Sequence, residues 1–203
     1  MIRLTVLLAL VGLVGWPAPA GAQIDLSGTV TGTLGSGITT VLGGTGPLAG
    51  TPGALDASAL TGQIPGVLSG GVLHATTIGD LSRVDSEASI ADLILDVPGI
   101  TLEADFVIAN ATAVLGAAGT GSAAINNLLI NGVPVAVTGA PNQTVALPVG
   151  RAVINEQISS PTGIVVNALH ITVPGAADVI IGSATADAST VTGEASAVQA
   201  TGL

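Results

Sequence analysis

The sequence predicts an all-β fold, an antiparallel β-sandwich of about eight strands with an irregular Gly-rich N-terminal arm, from three observations. From about Ser86 onward, apolar residues recur at every second position. Turn-forming pairs such as Pro98-Gly99, Asn131-Gly132 and Pro174-Gly175 punctuate those runs. No stretch of the same region carries a convincing amphipathic helical period. Many short strands without crossover helices favour a sandwich over an α/β fold. A β-barrel or β-solenoid is the alternative packing of the same strands.

The chain begins Met1-Ile2-Arg3, runs apolar from Leu4 to Trp16, and continues Pro17-Ala18-Pro19-Ala20-Gly21-Ala22-Gln23. A basic start, an apolar stretch too short to span a bilayer and a small-residue A-x-A-like site together read as a signal peptide over residues 1–22. Cleavage is expected between Ala22 and Gln23. The mature chain has no second apolar run of transmembrane length, so no membrane span is expected after cleavage.

Residues 23–71 are rich in Gly, Thr, Ala and Pro, as in Gly43-Gly44-Thr45-Gly46-Pro47. Gly or Pro interrupts every few positions and no period persists, which predicts an irregular arm or spacer. A first strand near Leu26 to Leu34 is the exception. The glycines are not phosphate cradles, because no Lys follows them and no strand-to-helix context surrounds them.

The β-domain is expected over residues 72–187. Asp92-Leu93-Ile94-Leu95-Asp96-Val97 precedes Pro98-Gly99 and Ile100-Thr101-Leu102-Glu103-Ala104-Asp105-Phe106. Symmetric reversal at the Pro-Gly pair sets Val97 against Ile100, Leu95 against Leu102, Leu93 against Ala104 and Ala91 against Phe106, an apolar face. The other face carries Asp96 with Thr101, Ile94 with Glu103 and Asp92 with Asp105. A Pro-Gly type II turn twists poorly for a two-residue hairpin, so a wider loop or bend is the competing geometry.

Asn131-Gly132 is the strongest hairpin signal, since both residues accept the positive φ of a type I′ turn. Pro134 cannot donate to a ladder, which puts its strand at an edge or turns its nitrogen outward. Further strands are expected at Thr144 to Leu147, Arg151 to Ile158, Ile164 to Val173 and Asp178 to Asp187. Residues 188–203 read as a C-terminal tail.

Composition excludes several functions. Loss of the leader leaves Arg83 and Arg151 against thirteen acids, a formal charge of −11. Such a surface repels nucleic acid and anionic lipid, and nucleic acid is not an expected partner. There is no Cys for a disulfide framework and no Lys for a Schiff base or isopeptide staple. Phe106 is the sole aromatic ring after the leader, which disfavours binding by ring stacking.

His170 has Glu156 and Asp178 on neighbouring predicted strands, and with a serine these could compose a hydrolase set. No nucleophile elbow accompanies them. A strand His more often bonds a neighbour, so no catalytic residue is assigned; His74 has still less support. The Asp92/Asp105 pair, with Asp96 and Glu103 beside it, could be bridged by calcium, yet a full site needs about six to eight oxygens. A solvated acidic face is the commoner reading. Asn155-Glu156-Gln157 and Asn167 interrupt apolar strands, and their expected role is to satisfy backbone groups at bends. No cofactor and no metal ligand is assigned. The sequons Asn110-Ala111-Thr112 and Asn142-Gln143-Thr144 matter only in a pathway that glycosylates.

Between about Ser86 and Ala186 the chain resembles the choice-of-anchor P family. The likeness rests on Asn131-Gly132-Val133-Pro134-Val135, Pro141-Asn142, Asn155-Glu156-Gln157, Val166-Asn167-Ala168-Leu169-His170-Ile171 and Asp178-Val179-Ile180-Ile181-Gly182-Ser183-Ala184. The resemblance implies a bacterial exported domain of no established activity, joined in its relatives to differing surface anchors; none is recognisable after Ala186 here. The resulting expectation is a secreted or cell-surface, non-enzymatic β-domain with a structural or weakly adhesive role. Its expected partners are other envelope or extracellular components. A calcium-dependent ligand-binding domain and a secreted hydrolase are the alternatives.

Overall fold

The computed structural model describes residues 24–31, as backbone, and 39–202. The expected leader, residues 1–22, and its expected Ala22/Gln23 junction lie outside the described residues. In chain order the strands are β1 (Ile24–Thr31), β2 (Thr39–Gly44), β3 (Leu48–Ala49), β4 (Gly53–Ile64), β5 (Leu68–Gly70), β6 (Leu73–Gly79), β7 (Arg83–Val97) and β8 (Ile100–Val114). They continue as β9 (Thr120–Asn126), β10 (Leu129–Ile130), β11 (Val133–Pro134), β12 (Gln143–Leu147), β13 (Gly150–Ser159), β14 (Gly163–Val173), β15 (Ala177–Asp187) and β16 (Thr192–Gly202).

Two sheets with open edges pack face to face as a sandwich, not a closed barrel. One runs β1-β4-β5-β7-β8-β10-β11, with β6 and β9 continuing the lines of β5 and β10. The other runs β12-β13-β14-β15-β16-β2, with β3 beside β16. β7 and β8 lie against β14, β15 and β16. The core between them is almost wholly aliphatic, including Ile90, Leu93, Leu102, Leu169, Ile171 and Ile181. Among the described residues, no helix is long and apolar enough to cross a membrane.

The β7–β8 register is the expected one, with Val97 opposite Ile100, Leu95 opposite Leu102, Leu93 opposite Ala104 and Ala91 opposite Phe106. The turn is nevertheless the tight two-residue one, not a wider loop. Gly99 takes φ +82°, and the long ladder behind it outweighs the unfavourable twist. Asn131 and Gly132 take φ +51° and +74°, joining β10 to β11 as expected. Asn131 Oδ1 also accepts from Thr101 N at 2.8 Å. Pro134 lies on the edge strand.

Two stretches differ from expectation. Most of residues 39–71, read as an irregular arm, is strand. β4 pairs in parallel with β1, where a first strand was expected, and antiparallel with β5 and β6. Residues 192–202, read as tail, form β16, which lies between β15 and β2. In both stretches small inward residues hide the alternation. A Cβ on Gly62 would come within 2.6 Å of Leu73 Cδ2, and one on Gly193 within 2.8 Å of Thr77 Cγ2. The glycines that suggested irregularity make room for the neighbouring side chains.

A transverse crease crosses both sheets. In β15 the side chains in the hydrophobic core are Ala177, Val179 and Ile181 before Gly182, then Ala184 and Ala186 after it. In β7 they are Ala88 and Ile90, then Leu93 and Leu95. Registers are kept across the fault, but the paired positions at it drop out of the ladder: Gly182 opposite Ala168, Asn155 opposite Ala168, Gly43 opposite Ala197, Asp92 opposite Asp105. Gly43, Asp92, Asn127, Asn155 and Gly182 there all have positive φ. A left-handed residue inside a strand breaks the two-residue alternation, so the face that points inward changes at that position. The motif residues singled out in the C-terminal half sit on this crease.

Candidate functional site

The polar motif residues form a connected array along the crease of the second sheet. Glu156, Asn167, Ser183 and Ser196 stand in one row across β13, β14, β15 and β16. Asn167 Nδ2 donates to Glu156 Oε2 at 2.7 Å, and Ser183 Oγ donates to Asn167 Oδ1 at 2.8 Å. Asn167 and Ser196 are buried. In the low-dielectric setting of a packed sheet, such groups are stabilising only when paired.

His170 joins the row. Its Nδ1 lies 2.9 Å from Glu156 Oε2 and its Nε2 2.6 Å from Asp178 Oδ1. The ring thus clamps β13, β14 and β15 together, and it satisfies both contacts when both nitrogens carry protons. The structure brings together the His170, Glu156 and Asp178 set weighed from sequence, and among the described residues no hydroxyl is hydrogen-bonded to the His170 ring. Both imidazole nitrogens face carboxylates, leaving neither to take a proton from a hydroxyl, and the Ser183 hydroxyl of the same array is bonded to Asn167. A serine hydrolase needs a base nitrogen turned toward its nucleophile. This arrangement is a two-sided clamp on the ring.

Asn155 anchors the edge of the same sheet. With φ +51° and 2% exposure, it donates from Nδ2 to Gly139 O at 2.9 Å and accepts at Oδ1 from Gln157 Nε2 at 3.0 Å. Gln157 Nε2 also reaches Gly121 O of β9 at 3.0 Å, bridging the two sheets. Asn142 Oδ1 accepts from Gln157 N at 2.9 Å. The amides of Asn155 and Gln157 therefore serve backbone groups near the bend, as expected, whereas Glu156 and Asn167, expected to do the same, bond other side chains instead. Every buried side-chain polar atom among the described residues has a partner. The bridges through Gly139 and Gly121 were not legible in sequence, since they depend on which loops reach the β13 edge.

His74 is separate, with Ser58 Oγ at 3.3 Å and Asp56 Oδ2 at 3.7 Å. The acidic pair expected to face itself does not. Asp105 Oδ2 accepts from Asn127 Nδ2 at 2.5 Å, whereas Asp92 leans to the opposite side, where a Cβ on Gly71 would meet its Oδ2 at 2.9 Å. The left-handed Asp92 interrupts the ladder, and the two carboxylates turn to different neighbours. Among the described residues, no group of three or more His, Cys, Asp or Glu is placed to hold a metal ion.

Three carboxylates held below their ordinary range, those of Asp80, Asp85 and Asp187, lie away from the motif array, Asp80 being lowered chiefly by the backbone N–H of Ser82. The side-chain hydrogen bond from Arg83 lowers Asp85, with Thr112 adding to it. The hydroxyl of Ser189, with its backbone N–H and Thr162, lowers Asp187. Both stabilise strand ends. A cleft of about 760 Å³ opens instead on the first sheet, where Asn127 separates β9 from β10, with Glu103 and Asp105 on its wall. No protein-family model, no curated protein and no solved structure matches the chain.

Proposed function

We propose that the chain is an exported, non-enzymatic β-domain of the choice-of-anchor P type, acting at the cell surface or in the extracellular space as a structural or weakly adhesive component. The observation that carries this reading is the saturation of the motif: His170 is held by two carboxylates, Asn167 by Glu156 and Ser183, and Asn155 by Gly139 and Gln157. A catalytic array holds at least one group ready for substrate, whereas this one spends its donors and acceptors on the sheet. The leader ending at Ala22 and the acidic mature surface support export.

Fractionation of a bacterial host expressing the full chain, with N-terminal mapping by mass spectrometry, tests the reading. Recovery outside the cytoplasm with Gln23 as first residue is expected. Retention in the cytoplasm with residues 1–22 attached would overturn it, as would labelling of Ser183 by a serine-reactive phosphonate that His170→Gln abolishes.

A further inference from the structure

We propose that the β1–β4 ladder is a shear joint, which makes the domain resist tension applied at its two ends far better than tension applied across the β2–β16 edge. β4 starts at Gly53, opposite Gly79 at the end of β6, and β1 runs parallel beside it from Ile24, opposite Asp56, to Thr31, opposite Gln63. In the other sheet β16 starts at the same pole. A Cβ on Gly193 would lie 2.8 Å from both Thr77 Cγ2 and Val84 Cγ1, where β6 ends and β7 begins. β16 then runs away from that pole to Gly202. β1 and β16 therefore point the same way in opposite sheets, and the chain enters the fold from one pole and leaves it at the other.

A pull on both ends thus lies along the strands. Ladder hydrogen bonds run across the strands, so this pull shears them, and the seven β1–β4 residue pairs share the load. Sliding of one sheet past the other is opposed by the aliphatic core and by two bonds between sheets, Ser86 Oγ to Thr185 O at 2.7 Å and Gln157 Nε2 to Gly121 O at 3.0 Å. β16 is held on both sides, by β15 and β2, whereas β1 ends its sheet and pairs with β4. The β1–β4 ladder is the link that sets the strength.

The β2–β16 edge is the opposite case. Thr39 and Thr201 face one another at the pole where the chain leaves. A pull at residues 39 and 203 opens that antiparallel ladder from its end, one residue pair after another. Pairs broken in turn yield at a lower force than pairs loaded together, because forced unfolding follows the barrier along the direction pulled. Without β1, a load on the two ends would enter at Thr39 and meet only this weak direction. The joint gives the structural role proposed above a mechanical form. Its test needs neither export nor a partner, so either reading can fail without the other.

Single-molecule force spectroscopy on the chain from Gln23 to Leu203 tests the joint. The sequence contains no Cys, so introduced thiols place the handles: Gln23→Cys with Leu203→Cys for the end-to-end direction, and Thr39→Cys with Leu203→Cys for the edge direction. At one loading rate the end-to-end unfolding force should exceed the edge force at least about twofold. Leu26→Pro combined with Ser27→Pro removes the N–H of two successive β1 residues, one of which faces β4. That change should lower the end-to-end force by at least about a third and leave the edge force within about a tenth of its original value. The proposal fails if the two original forces differ by less than about twofold, if the edge is the stronger direction, or if the prolines lower both forces alike or neither.

Discussion

Replacing Asn155 by Gly and by Ala separates the two things that residue does. Both changes remove the buried amide, leaving Gly139 O and Gln157 Nε2 short of a partner; the loss costs about 1–3 kcal/mol. They differ in backbone. At φ +51° a residue with a Cβ is disfavoured by about 1–2 kcal/mol, whereas Gly is not, although Gly loses about 0.5–1 kcal/mol more chain entropy on folding. The net expectation is that Asn155→Gly is more stable than Asn155→Ala by about 0.5–1 kcal/mol, the reverse of the order at an ordinary strand position. For a chain of this size, that corresponds to a melting temperature about 1–4 °C higher. Thermal unfolding followed by far-UV circular dichroism reads the difference. An Ala variant as stable as the Gly variant, or more so, would mean that β13 carries no left-handed residue there and that the crease account of the burial switch is wrong.

Two further outcomes follow from other turns. Asn131→Val puts a β-branched residue at φ +51° and deletes the acceptor of Thr101 N, so it should lower stability by about 2–3 kcal/mol; an unchanged denaturant midpoint would refute the type I′ turn. Asp187 is held below its ordinary value chiefly by the Ser189 hydroxyl, so its stabilising contribution is fully present above the unfolded carboxylate value and disappears as pH falls through the lower folded one. Asp187→Asn should therefore be less stable than wild type at pH 6, with the gap narrowing below about pH 4; a gap independent of pH would contradict the assignment.

The strands most legible in sequence were those whose inward positions carry large aliphatic side chains. The hairpin end of β7 and β8, from Ala91 to Phe106, was read in the observed register because Leu93, Leu95 and Val97 meet Ala104, Leu102 and Ile100, and a one-residue slip would have put them on the wet side; their far halves, Arg83 to Ile90 and Val107 to Val114, were not read. β4 and β16 were missed because their inward positions are filled by Ala57, Ala59, Gly62, Gly193, Ala195 and Ala197. Such positions give little hydrophobic contrast, and glycine signals a break even where it marks close packing. The crease was hidden for a related reason. A period-two template assumes one inward face per strand, so the switches at Gly182 and Ala197 look like short apolar runs and Asn155-Glu156-Gln157 looks like a polar interruption. At the motif, sequence indicated which residues were unusual and placed Glu156, His170 and Asp178 on adjoining strands. It did not give the two-sided clamp on the imidazole, because that depends on the rotation of His170 between β13 and β15.

Chemical denaturation of Glu156→Ala bears most directly on the claim that the motif serves the sheet and not a reaction. The change removes the acceptor shared by Asn167 Nδ2 and His170 Nδ1, leaving a buried amide and one side of the imidazole without a partner. Loss of stability by about 2–3 kcal/mol is expected, at the upper end for an unmade buried hydrogen bond. Catalytic groups are commonly held at a cost to stability, so removing one tends to leave the fold unchanged or more stable. A Glu156→Ala protein at least as stable as wild type would contradict the structural role assigned to the array.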